Sequence, residues 1–248
     1  MAAFMLLSTA SLALGNSKAN GYATEGDKYF KAQDYANAVE AYKKAVALDP
    51  SLGLAYYGLA LSYHQQQQWE LAIPNWKRAR SLLEPEGAML LVMGNDYFHL
   101  KQYNEALEAF QAVLSIAPPP VDRMMANYWI GATYNQIDQP EKAITPLRVA
   151  LDSKPGDPDF NYELGDAYLK LKRYIDAEPL LKEAIRLGPE FAMAYFDLGM
   201  AYLAMHKAAE AMDVSKTLQA LDPAKARELT RKIDEQANQD ANRSKGAY

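Results

Sequence analysis

The sequence predicts an all-α protein made of six copies of one helix–turn–helix block. Three observations predict it. A small residue recurs as Gly26, Ala60, Gly94, Gly131, Gly165 and Gly199, at spacings of 34, 34, 37, 34 and 34 residues. Each mark is followed after three residues by tyrosine (Tyr29, Tyr63, Tyr97, Tyr134, Tyr168, Tyr202) and after twelve by alanine (Ala38, Ala72, Ala106, Ala143, Ala177, Ala211). A proline then closes each unit, at Pro50, Pro85, Pro118, Pro155, Pro189 and Pro223. Self-similarity at a fixed period of a few tens of residues is the signature of a repeat architecture.

The block explains its own spacing. The mark, the residue before it and the tyrosine fall on one face of a first helix, as in "FNYELGDAYLKL". The alanine, a bulky residue four later and a small apolar residue three beyond that form an i, i+4, i+7 stripe on a second helix, as in "YIDAEPLLKEAIRL". The bulky position holds Tyr42, Trp76, Phe110, Leu147, Leu181 and Ser215. Polar pieces such as "QD", "QIDQ" and "LKR" connect the two helices. Proline after the second helix ends it, because its ring has no N–H and clashes with the preceding turn. The small mark is expected to let the paired helices approach closely. Pro74, Pro146 and Pro179 are expected near the N-terminal ends of second helices, where the first N–H groups lack internal partners anyway.

This pattern resembles the tetratricopeptide repeat family, over roughly residues 20–223. The resemblance implies a right-handed superhelical solenoid of antiparallel helix pairs, with the first helices lining a concave face. One repeat cannot bury its own apolar stripe, so neighbours share a continuous core. The repeats are read as 19–52, 53–86, 87–120, 124–157, 158–191 and 192–223.

The ends and the middle depart from the pattern. Of the residues just before each mark, Glu25 alone is charged, as suits an end that no earlier repeat covers. Residues 224–242 carry a narrow stripe of Ala226, Leu229, Ile233 and Ala237 and are expected to form a capping helix, with 243–248 frayed. The longer spacing falls at "PPPVDR", expected as a stiff extended connector; over 118–123 a rigid longer loop is the first expectation and a hinge the second. "MAAFMLLSTASLALG" has no charged side chain, and its apolar run is too short to span a bilayer as a helix. Residues 1–15 read as the hydrophobic part of a secretion signal, with Ala13 and Gly15 as small residues for cleavage, although Lys18 is the first basic residue. That reading places the protein in the periplasm or outside the cell. The alternative is an apolar tail on a cytoplasmic protein.

Bulk composition excludes several functions. Among 248 residues, 50% are hydrophobic and 23% charged, as in ordinary folded domains. A net charge of -5 lacks the basic footprint of a nucleic-acid binder. Without cysteine there is no disulfide, thiolate metal site or Cys nucleophile. His64 and His99 fall on adjacent first helices, but two imidazoles without a third ligand make a weak metal site. No catalytic constellation or phosphate loop stands out, so no enzyme activity, metal or cofactor is expected.

If the resemblance holds, the concave face is read from positions three before and one, four and five after each mark. It is rich in Tyr, Phe, Leu and Met, and large apolar residues on a face not needed for stacking usually mark binding. Packing of these residues against neighbouring helices is the competing reading. The expected anchors are Tyr57, Phe98, Tyr128, Tyr162 and Phe196, with Leu61 and Met200 beside them and His64, Asn95, Asn135 and Gln136 as hydrogen-bonding groups. Asp27 with Lys31, and Asp166 with Lys170, are spaced to pair along their helices. The family's chaperone co-factors grip a C-terminal carboxylate through basic residues two, three or six before the mark; none of those places is basic here. The expected function is a non-enzymatic scaffold that binds a protein or peptide segment, organising an envelope or secreted assembly if the leader is real. A regulatory subunit of an enzyme complex and a self-associating structural protein are the alternatives. Neither a nucleic-acid partner nor a membrane span is expected, and the sequence does not set the oligomeric state.

Overall fold

The computed structural model describes residues 17–116 and 118–245. The segment read as a secretion signal lies outside them. Among the described residues there are thirteen α-helices and no strand. They are α1 (Ser17–Lys31), α2 (Tyr35–Leu48), α3 (Gly53–Gln65), α4 (Trp69–Leu82), α5 (Gly87–His99), α6 (Tyr103–Ser115), α7 (Pro120–Gln136), α8 (Pro140–Ser153), α9 (Pro158–Lys170), α10 (Tyr174–Leu187), α11 (Ala192–Ala204), α12 (Ala208–Leu221) and α13 (Pro223–Lys245). The chain divides into two compact units, Met1–Trp129 and Ile130–Tyr248, and the division falls inside α7.

Within each unit, consecutive helices pack on one another, and first helices also meet, α1 with α3, α3 with α5 and α9 with α11. The second-helix stripe forms the core. All six repeat alanines are fully buried, as are Trp76, Phe110, Leu147 and Leu181. Each such large side chain contributes about 1.5–3 kcal/mol on leaving water.

The glycine marks make room for side chains of the second helix. A Cβ on Gly94 would lie 2.5 Å from the Phe110 ring, and one on Gly131 2.3 Å from Leu147 Cγ. Missing Cβ atoms therefore make sockets for the bulky residue of the second helix. Tyr42 occupies two sockets, with Gly26 on one side and Gly58 of the next repeat on the other, at 2.7 and 2.3 Å from a built Cβ.

Every turn inside a pair has the same geometry. Gln33, Gln67, Lys101, Asp138, Lys172 and His206, each seven residues after its mark, have φ between 56° and 60°. The next residue's N–H bonds back to the carbonyl of the repeat tyrosine, as from Asp34 to Tyr29 and Gln68 to Tyr63, both at 2.9 Å. That is the left-handed cap with a six-to-one bond that ends many helices, usually on glycine. Here no glycine occupies it, which is why the sequence did not disclose it. Arg173 and Lys207, the residues after the left-handed position, lie over the Tyr168 and Tyr202 rings at 4.5 and 5.5 Å, holding the turn from outside.

Two expectations about proline are corrected. Pro74, Pro146 and Pro179 stand six or seven residues into their helices, past the first turn, so each removes one internal bond. The residues four earlier, Glu70, Lys142 and Ile175, are exposed, so water can serve their carbonyls. The stretch 118–123 is not an extended connector throughout. Arg123 N–H bonds to the Pro119 carbonyl at 3.0 Å, and Pro120 opens α7. Proline is pre-set for a first helical position, so the three extra residues become an additional turn at the start of α7.

At the C-terminal end, Ala226, Leu229 and Ile233 of α13 are buried, whereas Ala237 is exposed and the apolar stripe stops one turn early. Helix α13 packs on α12 and α11. It continues through Lys245, beyond the expected frayed start at 243.

Candidate functional site

The first unit gathers aromatic rings where α3, α5 and α7 present the positions around their marks. Phe98 meets Trp129 at 5.2 Å and Tyr103 at 5.6 Å, both edge-on. Trp129 stacks on Phe110 at 5.9 Å and touches Tyr128 at 5.1 Å. Trp69 lies beside His64 and stacks on His99, at 5.3 and 4.8 Å. Of the predicted anchors here, Phe98 and Tyr128 keep part of their surface open, as do His64 and Asn95. Tyr57 and Leu61 do not: they are 7% and 6% exposed. Tyr57 packs edge-on against Trp76 at 5.3 Å, and burial, followed by the Glu86 charge, pushes its hydroxyl up to about 12. Little of either side chain is open to a ligand from outside.

Below this surface sits a carboxylate the sequence reading did not single out. Asp96, two residues after its mark, is fully buried. The equivalent places hold Ser62, Thr133, Ala167 and Ala201 in neighbouring repeats. Asp96 accepts the Trp76 indole N–H at 2.6 Å on one oxygen and pairs with His64 Nδ1 on the other. A buried indole needs an acceptor and a buried carboxylate needs donors. The contact ties α5 to both helices of the preceding repeat and fixes the His64 ring. The signal was a carboxylate at a position where the other repeats hold Ser62, Thr133, Ala167 and Ala201, and the first holds Lys28.

The second unit is polar where the first is aromatic. Tyr162 and Phe196 are partly open, as is Met200, which borders a cleft of about 360 Å³ with Leu203 and His206 of the α11 end and Gln236 of α13. Gln136 is exposed. Asn135 is 2% exposed, and its Nδ2 donates to the Glu163 carbonyl and carboxylate, both at 2.8 Å. The Tyr162 hydroxyl donates to Asp197 at 3.0 Å. Lys170 pairs with Asp166 at 2.7 Å and donates to the Asn135 carbonyl at 2.8 Å. Asp27 accepts the Tyr42 hydroxyl at 2.7 Å, and the Lys31 charge favours its ionised form. Burial pushes Glu163 up to about 7, with the Asp166 charge adding to it and the Asn135 amide and Lys170 opposing. Burial likewise raises Asp197 to about 6 against the Tyr162 hydrogen bond, with Asp166 again adding.

Among the described residues no group of three or more His, Cys, Asp or Glu is arranged to hold a metal ion. Nor is any described helix long and apolar enough to cross a membrane.

Comparison with known proteins agrees with the repeat. Three family models described as TPR or tetratricopeptide repeat match residues 26–67, 89–120 and 162–226. The small glutamine-rich tetratricopeptide repeat-containing protein 2 of Mycosarcoma maydis is 32% identical over 102 residues, 41% of this chain and 29% of that protein. The chain thus spans under a third of that relative's length. Among solved structures, PilW, a type IV pilus biogenesis factor, superposes with a TM-score of 0.71 at 20% identity, covering 87% of this chain and 100% of that one. YrrB, described as a TPR protein with an unusual peptide-binding site, gives 0.63 at 18% identity, covering 78% and 99%. At such identities the likeness is one of fold. Periodic sequence, stacked helix pairs, matching family models and fold together lead to one conclusion: the chain belongs to the tetratricopeptide repeat family, whose members generally mediate protein–protein interactions.

Proposed function

We propose that this protein is a non-enzymatic scaffold that captures a peptide segment of a partner protein on its first-helix faces. The observation that carries this reading is a set of partly open rings, Phe98 and Tyr128 in the first unit and Tyr162 and Phe196 in the second. They sit on helix faces that stacking does not seal, and rings of this kind are the usual anchors of peptide recognition. The fold shared with YrrB, described by its peptide-binding site, is consistent with it. An envelope or secreted assembly is the proposed setting. It is supported by the uncharged apolar residues 1–15 and by the fold likeness to PilW, a pilus biogenesis factor. Crosslinking followed by affinity purification and mass spectrometry, with wild type and a Tyr128→Ala/Tyr162→Ala variant, tests the function. The partner should disappear from the variant while its circular dichroism stays unchanged; identical partner lists would refute capture on these faces. Fractionation with intact-mass analysis tests the setting, through export and loss of the first 13–15 residues.

A further inference from the structure

We infer that the α9–α11 face of the second unit, built by Tyr162, Glu163, Asp197 and the adjoining Asn135, receives a cationic side chain, lysine or arginine, of the bound peptide. This rests on the peptide-binding reading above and specifies what that peptide carries.

Charge balance is the first argument. Three carboxylates cluster here, Glu163 and Asp166 on α9 and Asp197 on α11. Asp166 is neutralised by Lys170. Lys225, from α13, lies over the Phe196 ring at 5.3 Å. Among the described residues neither Glu163 nor Asp197 has an ion pair. Asp197 is 8% exposed, and its carboxylate accepts from the Tyr162 hydroxyl. Buried carboxylates without a cation are costly, and one arriving from outside relieves that cost.

The second argument is independent of charge. The two bonds from Asn135 Nδ2 fix which way its amide points, and its Oδ1 is left buried with no hydrogen-bond partner. The cluster is therefore rich in acceptors and short of N–H donors. An ammonium brings three donors and a guanidinium five, together with the missing charge. The open parts of Tyr162 and Phe196 suit the stem and head of such a side chain.

Without a cation, a proton is the competing occupant. Burial and Asp166 favour the protonated forms of Glu163 and Asp197; Asp159 adds to the first, while Lys170 opposes both and Lys225 opposes the second. From α7 the Asn135 amide meets Glu163. A bound cation favours the ionised carboxylates, so protons leave to the buffer as it binds.

The test uses the full chain and an array of acetylated, amidated octapeptides with varied aromatic and aliphatic flanks. One central position is Lys, Arg, Gln or Leu. At pH 8 the tightest Lys or Arg peptides should bind at least about tenfold better than their Gln counterparts. The preference should shrink to within about threefold at pH 5.5 and in Glu163→Gln and Asp197→Asn, with proton release measured by calorimetry in two buffers. Leu71→Ala, at an exposed residue outside the proposed binding faces, should leave the ratio unchanged. Equal binding of Lys and Gln peptides at pH 8 would overturn the cationic site while leaving peptide capture standing. Binding of no peptide in the array would count against capture itself, and the inference falls with it.

Discussion

Leu229 of α13 fills the socket over Gly199: a Cβ on that glycine would come within 2.4 Å of Leu229 Cδ2. At Gly26, Gly94, Gly131 and Gly165 the socket receives a bulky residue of the repeat's own second helix, but in the last repeat that residue is Ser215. Its hydroxyl hydrogen-bonds the Ala226 carbonyl at 3.1 Å and Thr230 Oγ1 at 2.8 Å. The small, polar Ser215 lets α13 come close, and α13 supplies the missing volume. Leu229→Ala should therefore destabilise the second unit by about 2–5 kcal/mol, read by urea denaturation. Exposed leucines such as Leu71 should be near-neutral when changed to alanine.

The sockets predict an order among glycine substitutions. Gly58→Ala drives a methyl to 2.3 Å from the Tyr42 ring, whereas at Gly165 the added carbon meets the flexible Leu181 at 3.0 Å. Gly58→Ala should cost about 1–3 kcal/mol through overpacking, although alanine is the better helix former by about 1 kcal/mol. Gly165→Ala should change stability little. Adding Tyr42→Leu to Gly58→Ala should recover part of the loss in a double-mutant cycle.

Left-handed turn residues offer the reverse experiment. Lys172 has φ of 59°, a conformation costing a non-glycine residue about 1–2 kcal/mol. Lys172→Gly should stabilise by about 0.5–1 kcal/mol after glycine's own entropy cost, moving the denaturant midpoint upward without changing its slope. A fall in the midpoint would show that the Lys172 side chain holds the turn by another route.

Asp96 joins two repeats through one carboxylate. Asp96→Ala strands the Trp76 indole and the His64 ring and should cost about 3–5 kcal/mol. Asp96→Asn keeps an acceptor for one donor and should cost less. Tryptophan emission should report the altered surroundings of Trp76 in both variants.

Stability should depend on pH through Glu163 and Asp197. Their folded values, about 7 and about 6, lie above the ordinary 4.5 and 3.8. Between those limits the folded state binds more protons than the unfolded one, so stability falls as pH rises through the window. From pH 4.5 to 7.5 the loss is on the order of a few kcal/mol. Glu163→Gln should flatten that slope and raise stability at pH 8; a slope unchanged in the variant would assign it to other groups.

The sequence by itself determined the repeat, its helix pairs and the residues of the core. A period of 34 with fixed alanines and prolines leaves one economical way to bury the apolar stripe, and local spacing dictates it. Legible too were Ser215 as a departure and the cap that answers it. What only the tertiary structure decided concerns contacts between helices. Tyr57 and Tyr128 occupy the same place in their repeats, yet Trp76 covers the first while the second stays partly open. The carboxylates Glu163 and Asp197 lie far apart in the chain, and only the packing of α9 on α11 sets them on one face, where burial rather than sequence spacing tunes them. Side-chain direction is periodic and readable; exposure depends on the volume of neighbours on other helices, which a single helix does not encode.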